Sequence, residues 1–370
     1  MQRRDHSDLI VCFLALIFFS QMGFSQSILR GKVTDGKNGE PVPFANVFFS
    51  NTTMGSPTLE NGTFEIKNIP NGKYDLTVSM VGYKRFQQSM EFQGADRQLS
   101  IVLEQELVNL SEVTIYADQA DYKKYFPAFK KYFLGESVNS VQCVIMNPAD
   151  IFLYFDAKTQ VLTGHASKPI IVENKGLGYR VHYILDIFEL NYKNGWKKLS
   201  GISRFEELPP VHERRTRQWS KRRDVAYRGS LNHFMRTLYN NSSRKEGFDV
   251  MVVDTTALSD ELKNVTVDSP IELGEHISGT DVKSFKFKGT LKVVYRKEYE
   301  DDGYRKSRTM RLNYFQASSL KFTSDAISIF ENGYYVNQRS VFLDGYLAWA
   351  EAIGEFLPHT YYPSEENKSK

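Results

Sequence analysis

Cysteine is nearly absent: the chain of 370 residues has two, Cys12 and Cys143. A mature chain that has lost Cys12 keeps one thiol and cannot close an internal disulfide, so core burial alone must hold it together. Long apolar runs are missing beyond the N-terminus, and mean hydropathy is −0.42, which excludes a multi-helix membrane protein. Excess charge of one sign is missing too. Lys and Arg number 47 against 44 Asp and Glu, a net +3 that gives no overall pull toward nucleic acid. The sequence holds no Gly-x-Ser-x-Gly elbow, no His-Glu-x-x-His and no phosphate loop. None of its seven histidines has Glu three residues on, so the zinc pair of a metallocarboxypeptidase is absent. These gaps argue against an enzyme and point to no cofactor and no metal.

Aromatic residues, by contrast, make up 14% of the chain and hydrophobic ones 41%, the composition of a globular protein. The first 25 residues read as a secretory signal. Arg3 and Arg4 give a positive start, Leu9 to Phe19 is an apolar run, and Gly23-Phe24-Ser25 supplies small residues for cleavage after Ser25. The apolar run is too short to span the roughly 30 Å of a bilayer core, so no membrane span is expected in the mature chain. Cys12 sits too early in that run for a lipidation site. The expected location is the periplasm or the outer membrane.

Residues 26–118 carry 8 basic and 11 acidic groups, and residues 119–370 carry 37 and 31; the change of sign places a boundary near 118. The first part is dense in turn signals: Asp35-Gly36, Asn38-Gly39, Asn61-Gly62 and Asn71-Gly72. Between them lie short β-rich runs, Leu29–Val33, Pro43–Phe49, Thr63–Ile66, Tyr74–Met80 and Leu99–Leu103. Tyr74, Leu76 and Val78 alternate with Asp75, Thr77 and Ser79, which predicts one buried and one wet face. Turns about every ten residues without a helical period predict an antiparallel sandwich.

The ordered motifs Gly31-Lys32-Val33-Thr34-Asp35, Gly39-Glu40-Pro41-Val42-Pro43-Phe44-Ala45-Asn46-Val47, Asn61-Gly62-Thr63-Phe64, Ile69-Pro70-Asn71-Gly72-Lys73-Tyr74 and Val81-Gly82-Tyr83 resemble the carboxypeptidase regulatory-like (transthyretin-like) domain of the type found on exported proteins of Bacteroidota. Ser56-Pro57-Thr58-Leu59-Glu60 departs from that pattern locally. The resemblance implies a β-sandwich over 26–104 used for folding, docking or binding; its matching positions are turn glycines and core residues, and none is a nucleophile or base. Leu110 to Ala117, in a linker strand over 105–118, resembles the segment that follows this domain in TonB-dependent receptors. That segment is either a handle for a periplasmic partner or a plain linker strand.

Residues 119–370 read as an α+β domain with mainly antiparallel sheet. Tyr122, Tyr125, Phe126, Phe129, Tyr132 and Phe133 predict a helix over 120–134 with a core-facing aromatic stripe. Ile151–Phe155 and Gln160–Gly164 predict a hairpin, Ile170–Glu173 and Tyr179–Leu190 further strands, and 285–295 a lysine-faced strand that turns at Asp301-Asp302-Gly303 and returns over 305–315. Ser328–Phe330 and Tyr334–Val336 flank a tight turn, and 346–357 predicts a closing helix with Trp349, Ile353 and Phe356 on one side. The most distinctive segment, Arg214–Tyr239, holds eight basic residues against Asp224 alone and predicts one or two amphipathic helices. Trp219–Leu238 resembles a segment of uncharacterised exported Bacteroidota proteins that carry the same N-terminal domain, which brings no activity with it. Its basic helices set aside a reading of 119–370 as an outer-membrane barrel. The segment reads either as a solvated basic face on a packed helix or as an anion site. For the latter, Arg222, Arg223, Arg228 and Arg236, with Trp219 and His233, are the candidate partner-binding residues, because guanidinium forks beside aromatic rings suit phosphate or carboxylate.

The resulting expectation is a non-catalytic exported binding or scaffolding protein of the cell envelope, whose partners are envelope proteins or anionic glycolipid or glycan, and not nucleic acid. Two alternatives stand beside it: a hydrolase of envelope glycan or peptide, and an accessory component of a TonB-dependent outer-membrane system. Glu206-Glu207, His212-Glu213 and His233 are the titratable groups a hydrolase reading draws on.

Overall fold

The computed structural model describes residues 26–106, 119–253, 265–266, 282–286, 290–308, 314–323, 326–336 and 341–363. The signal segment and Leu110–Ala117 lie outside the described residues.

The N-terminal unit is a sandwich of two sheets. One, in the order β4-β1-β7, joins β1 (Ser27–Asp35), β4 (Thr63–Ile69) and β7 (Arg97–Leu103). The other, in the order β3-β2-β5-β6, joins β2 (Asn46–Phe49), β3 (Gly55–Pro57), β5 (Gly72–Ser79) and β6 (Phe86–Phe92). Only β1 and β7 run parallel; every other pair is antiparallel. The inner faces bury Leu29, Val33, Phe49, Leu76, Phe92 and Ile101, and this apolar burial stabilises the unit at about 25 cal/mol per Å². Gly31 is fixed by close approach: a Cβ there would lie 2.3 Å from the Leu99 carbonyl oxygen and 2.6 Å from the Phe64 ring. The segment around Ser56, where the family resemblance weakens, forms β3 on the sheet edge.

Tyr74, Leu76 and Val78 are buried as their alternation requires, but the opposite face of β5 is not wet. Thr77 is 0% exposed and its hydroxyl lies 2.9 Å from that of Ser50, while Asp75 accepts from the Tyr334 hydroxyl at 3.1 Å. That face docks on the second unit, a partner no local pattern reveals.

The second unit opens with α1 (Gln119–Leu134), which lies against a six-stranded antiparallel sheet. The sheet comprises β8 (Cys143–Ile145), β9 (Ile151–Asp156), β10 (Val161–Ala166), β11 (Ile170–Asn174), β12 (Tyr179–Asn191) and β13 (Lys197–Glu207). Strand β12 organises it: β11 and β10 pair with its two ends, and β13 pairs with it over almost its whole length. Phe129 and Phe133 of α1 meet Phe188 and Tyr183 at centroid distances of 4.6 and 5.4 Å. Pro127 lies within α1 on its exposed side.

Three helices follow: α2 (Glu213–Tyr227), α3 (Leu231–Tyr239) and α4 (Ser243–Glu246). A second sheet, in the order β15-β14-β17-β18-β20, contains β14 (Phe248–Val253), β15 (Val265–Thr266), β17 (Thr290–Tyr299), β18 (Phe315–Phe322) and β20 (Val341–Gly345). A separate ladder pairs β16 (Val282–Lys286) with β19 (Ala326–Phe330). Phe234, Met235 and Leu238 of α3 share a core with Phe248, Phe285 and Leu291.

Three sequence expectations change here. The alternation over 285–295, of which Phe287 and Lys288 lie outside the described residues, buries Phe285, Leu291, Val293 and Tyr295 as expected, but it belongs to two ladders, β16 on β19 and β17 on β14 and β18. The return after Asp301 begins as a short helix, α5 (Asp302–Ser307), because the Asp301 side chain accepts from the Gly303 N–H at 2.6 Å and caps it; the strand starts only at Phe315. The closing helix is a single turn and a half, α6 (Tyr346–Ala350). Beyond it the backbone N–H groups of Ile353 and Gly354 donate to the carbonyls of Phe133 and Leu134 at 3.1 and 2.9 Å. The chain leaves the helical path to satisfy the C-terminal carbonyls of α1.

The sandwich docks through the turn after β2. Asn51, at φ 59°, donates its N–H to the Ser203 carbonyl at 2.6 Å, and its Oδ1 accepts from the Ser203 hydroxyl at 2.7 Å. Its own carbonyl accepts from the His359 N–H at 2.7 Å, and the Thr52 carbonyl accepts from the Phe205 N–H at 2.9 Å. The turn thus covers the outer edge of β13. Arg85 with Asp186, at 2.7 Å, and Asn332 Nδ2 donating to the Lys73 carbonyl at 2.9 Å extend the interface.

Candidate functional site

The basic segment is two helices broken at Arg228-Gly229. Gly229 takes φ +74°, and Ser230 starts α3 by accepting the His233 N–H on its hydroxyl. His212 caps α2 through Nδ1, which accepts the Arg215 N–H at 3.1 Å.

Four of the six candidate binding residues face inward. Trp219 is buried; its Nε1 donates to the Lys175 carbonyl at 2.9 Å and its ring covers Gly178, where a Cβ would come within 2.2 Å of it. Arg223 places its guanidinium 3.9 Å over the Tyr179 ring. It donates to the carbonyls of Leu177 and Gly178 at 2.7 and 3.2 Å and pairs with Glu207 at 3.0 Å. Arg236 is only 4% exposed and donates to the carbonyls of Asn332, Tyr361 and His359 at 3.1, 2.7 and 2.5 Å and to the Tyr227 hydroxyl at 3.2 Å. Its charge lies 3.8 Å over the Tyr362 ring. His233 is buried; Nδ1 accepts the Gly229 N–H at 3.1 Å, and burial, with the charges of Lys297, Arg236 and Arg228, lowers its pKa to about 3. These four residues hold the helices to the body and are not a contact surface. Asp224, the lone acid, is also inward and accepts from the Tyr361 hydroxyl.

Arg228 follows α2 with its charge opposed to Glu298, and Arg222 is half-buried on the helix flank. Besides Glu213 and Thr216, the exposed positions of α2 are Arg214, Arg217, Gln218, Lys221 and Val225. Spacings of three and four residues put them in one stripe along α2. Arg217 stands 3.9 Å from the exposed Glu213, an ion pair that water screens strongly. Trp219 and Arg223 of α2 and His233 and Arg236 of α3 thus lie on the packed sides of their helices.

The acids named in the sequence do not form one site. Glu206 pairs with Arg204 at 2.5 Å, while Glu207 turns to Arg223. The perturbed carboxylates gather elsewhere. A groove of about 540 Å³ runs between residues 136–141 and 299–306, lined by Ser137, Val138, Val141, Tyr299, Glu300 and Asp301 among others. Glu300 is buried there with no hydrogen-bond partner on Oε2, and desolvation raises its pKa. Burial pushes Glu298 up to about 7 against the opposing charge of Arg228. Burial also raises Glu355, whose carboxylate accepts from the Ser137 hydroxyl and, at 3.1 Å, from Asn139 Nδ2. Positions 298, 300 and 355 have no motif spacing, so no local signal identified them. Among the described residues no three His, Cys, Asp or Glu side chains form a metal cluster.

The two facing sheets define the N-terminal unit as a β-sandwich module. Residues 29–115 match the family model of the CarboxypepD_reg-like domain, and the rest of the chain matches no family model. No curated protein matches the sequence. Solved structures similar to part of the chain include a type II cohesin–X-dockerin complex from Acetivibrio cellulolyticus, at 24% identity over 21% of this chain and 56% of that one, with a TM-score of 0.19. Catechol 1,2-dioxygenase from Acinetobacter sp. ADP1 aligns at 13% identity over 24% of this chain and 55% of that one, with a TM-score of 0.20. The minor pilin GBS52 of Streptococcus agalactiae aligns at 14% over 23% and 47%, with a TM-score of 0.19. The chain spans about half the length of these structures.

Proposed function

We propose that the protein is an exported, non-catalytic binding or scaffolding component of the cell envelope, placed in the periplasm or at the outer membrane. Its contact surface is the outward stripe of α2, which engages anionic glycolipid, acidic glycan or an acidic envelope protein. The observation that carries this reading is the two-sidedness of α2. Trp219 and Arg223 fasten one side to β12 and its preceding turn, while Arg214, Arg217 and Lys221 stand in solvent on the other. The helix backbone fixes the spacing of these cations, and guanidinium and ammonium groups pair well with phosphate or carboxylate. The signal-like first 25 residues and the sandwich domain support the location. An accessory place beside a TonB-dependent system is one form of the same reading.

A photo-crosslinking amino acid at position 218, in the middle of the stripe, tests it in the native host. The expected product joins the protein to an envelope protein or to lipopolysaccharide. Crosslinks to cytoplasmic components, or none above those from a probe at buried position 219, overturn it.

One observation favours the second reading, hydrolysis of envelope glycan or peptide. A carboxyl with a pKa near 7 is suited to general acid catalysis at neutral pH, and Glu298 has one, two residues from the groove-lining Glu300. Turnover of peptidoglycan fragments or peptides by the mature chain, abolished in Glu298→Gln, is the result that reading requires.

A further inference from the structure

The six-stranded sheet has one face under α1 and one face outward. Leu153, Leu162, Phe188 and Leu190 point inward and are buried. The outward positions form two rows across the strands. Tyr154, Thr163, Glu189 and Lys198 are successive cross-strand neighbours on β9, β10, β12 and β13. One step along, Asp156 faces Val161, Val161 faces Asn191, and Asn191 donates its N–H to the Trp196 carbonyl at 2.9 Å. An open groove of about 420 Å³ lies on this surface, lined by Tyr154, Asp156, Thr159, Thr163, Glu189 and Trp196 among others.

Its lining has a definite chemistry. Two large aromatic side chains, Tyr154 at 40% and Trp196 at 41%, leave much of their surface in water at opposite corners. Between them lie two hydroxyls and two carboxylates. Strand spacing puts these aromatic positions about 14 Å apart across the sheet and about 7 Å apart along it. A pyranose ring is amphipathic in the complementary sense: its C–H face packs on an aromatic face, and its equatorial hydroxyls, directed sideways, donate to carboxylates and exchange hydrogen bonds with Thr hydroxyls. Glu189 meets Lys198 only at 4.0 Å, which leaves its oxygens able to accept. Asp156 is held in place by the Lys158 N–H at 2.8 Å and the Thr159 hydroxyl at 2.7 Å, so its carboxylate is preorganised. Two carboxylates in the lining disfavour an acidic sugar, which separates this surface from the basic stripe of α2.

We infer that the outer face of this sheet binds a neutral glycan, an oligosaccharide long enough to reach from Tyr154 to Trp196 with its hydroxyls on Glu189, Thr163 and Asp156. The inference stands independently of what α2 engages.

Isothermal calorimetry of the mature chain with maltohexaose, cellohexaose and chitohexaose tests it, with Trp196→Ala and Tyr154→Ala as variants at exposed positions. Saturable binding of at least one hexasaccharide is expected, weakened at least tenfold in each variant, with melting temperatures unchanged. The variant Arg214→Gln/Arg217→Gln/Lys221→Gln is expected to bind that sugar as well as the parent does. No heat from any of the three sugars, or titrations of the two aromatic variants that overlay the parent, overturns the inference. So does loss of binding in the α2 variant alone, which would place the sugar on the helix.

Discussion

At the scale of single residues, burial decides what a charged side chain does. His233 lies between the Phe248 and Tyr227 rings, each at a centroid distance of 4.9 Å, and burial, with three cations outweighing Glu246 at 4.0 Å from Nε2, keeps it neutral in the fold. An unfolded chain protonates that imidazole at its ordinary pKa near 6.5. Between that pH and about 3 the unfolded state therefore holds the extra proton, and stability falls as the pH drops through this window. His359, lowered to about 4 chiefly by burial, acts in the same sense, whereas Glu298, raised to about 7, gains stability as pH falls from about 7 toward 4.5. His233→Asn keeps an acceptor for the Gly229 N–H and removes the titration. Its unfolding free energy is expected to decline less steeply than the parent's between pH 6.5 and 4 in denaturant titrations; parallel curves contradict this assignment.

At the scale of elements, the pair α2 and α3 was largely legible in the sequence. The apolar positions gave the helical period and the row of basic residues stood out, while the pattern left open one helix or two, a choice made by the break at Gly229. Which arginines are internal was not legible. Arg223 is held by the carbonyls of Leu177 and Gly178, and Arg236 by those of Asn332, His359 and Tyr361, all far away in sequence. Trp219 enters because Gly178 leaves room, a vacancy set by a turn some forty residues upstream. Arg236 ties α3 to the C-terminal segment, so Arg236→Met removes several charge-assisted hydrogen bonds and leaves buried carbonyls unpaired. It is expected to lose about 3 kcal/mol in urea unfolding. Arg217→Met, in the outward stripe, is expected to stay within about 0.5 kcal/mol of the parent. Equal effects of the two contradict the inward and outward division of the helix.

At the scale of the whole molecule, the sandwich is not a free bead on a linker. The turn at Asn51 closes over β13, which would otherwise present an unpaired edge to other chains, and β5 meets Asn332 and Tyr334. Sequence reasoning found the sandwich because turn glycines and alternation are local. It missed the interface because Asp75 reads as solvent-facing, whereas its carboxylate accepts from the Tyr334 hydroxyl of the second unit. Asn51→Ala removes the acceptor for Ser203 and puts a Cβ-bearing residue with no amide at positive φ. Scanning calorimetry is expected to show the parent unfolding in one coupled transition and Asn51→Ala in two, the sandwich separating from the larger unit. A single unshifted transition in the variant contradicts the interface.

The second unit itself holds α2 with its cations outward, and the envelope-binding reading depends on that presentation. The measurement that tests it most directly is flotation of the mature chain with vesicles containing lipopolysaccharide, against vesicles of neutral lipid, at low and high salt. The account predicts that the protein floats with the anionic vesicles and is released by salt. It also predicts that Arg214→Gln/Arg217→Gln/Lys221→Gln stays at the bottom of the gradient while melting at the parent's temperature. A correctly folded triple variant that floats as well as the parent contradicts the account.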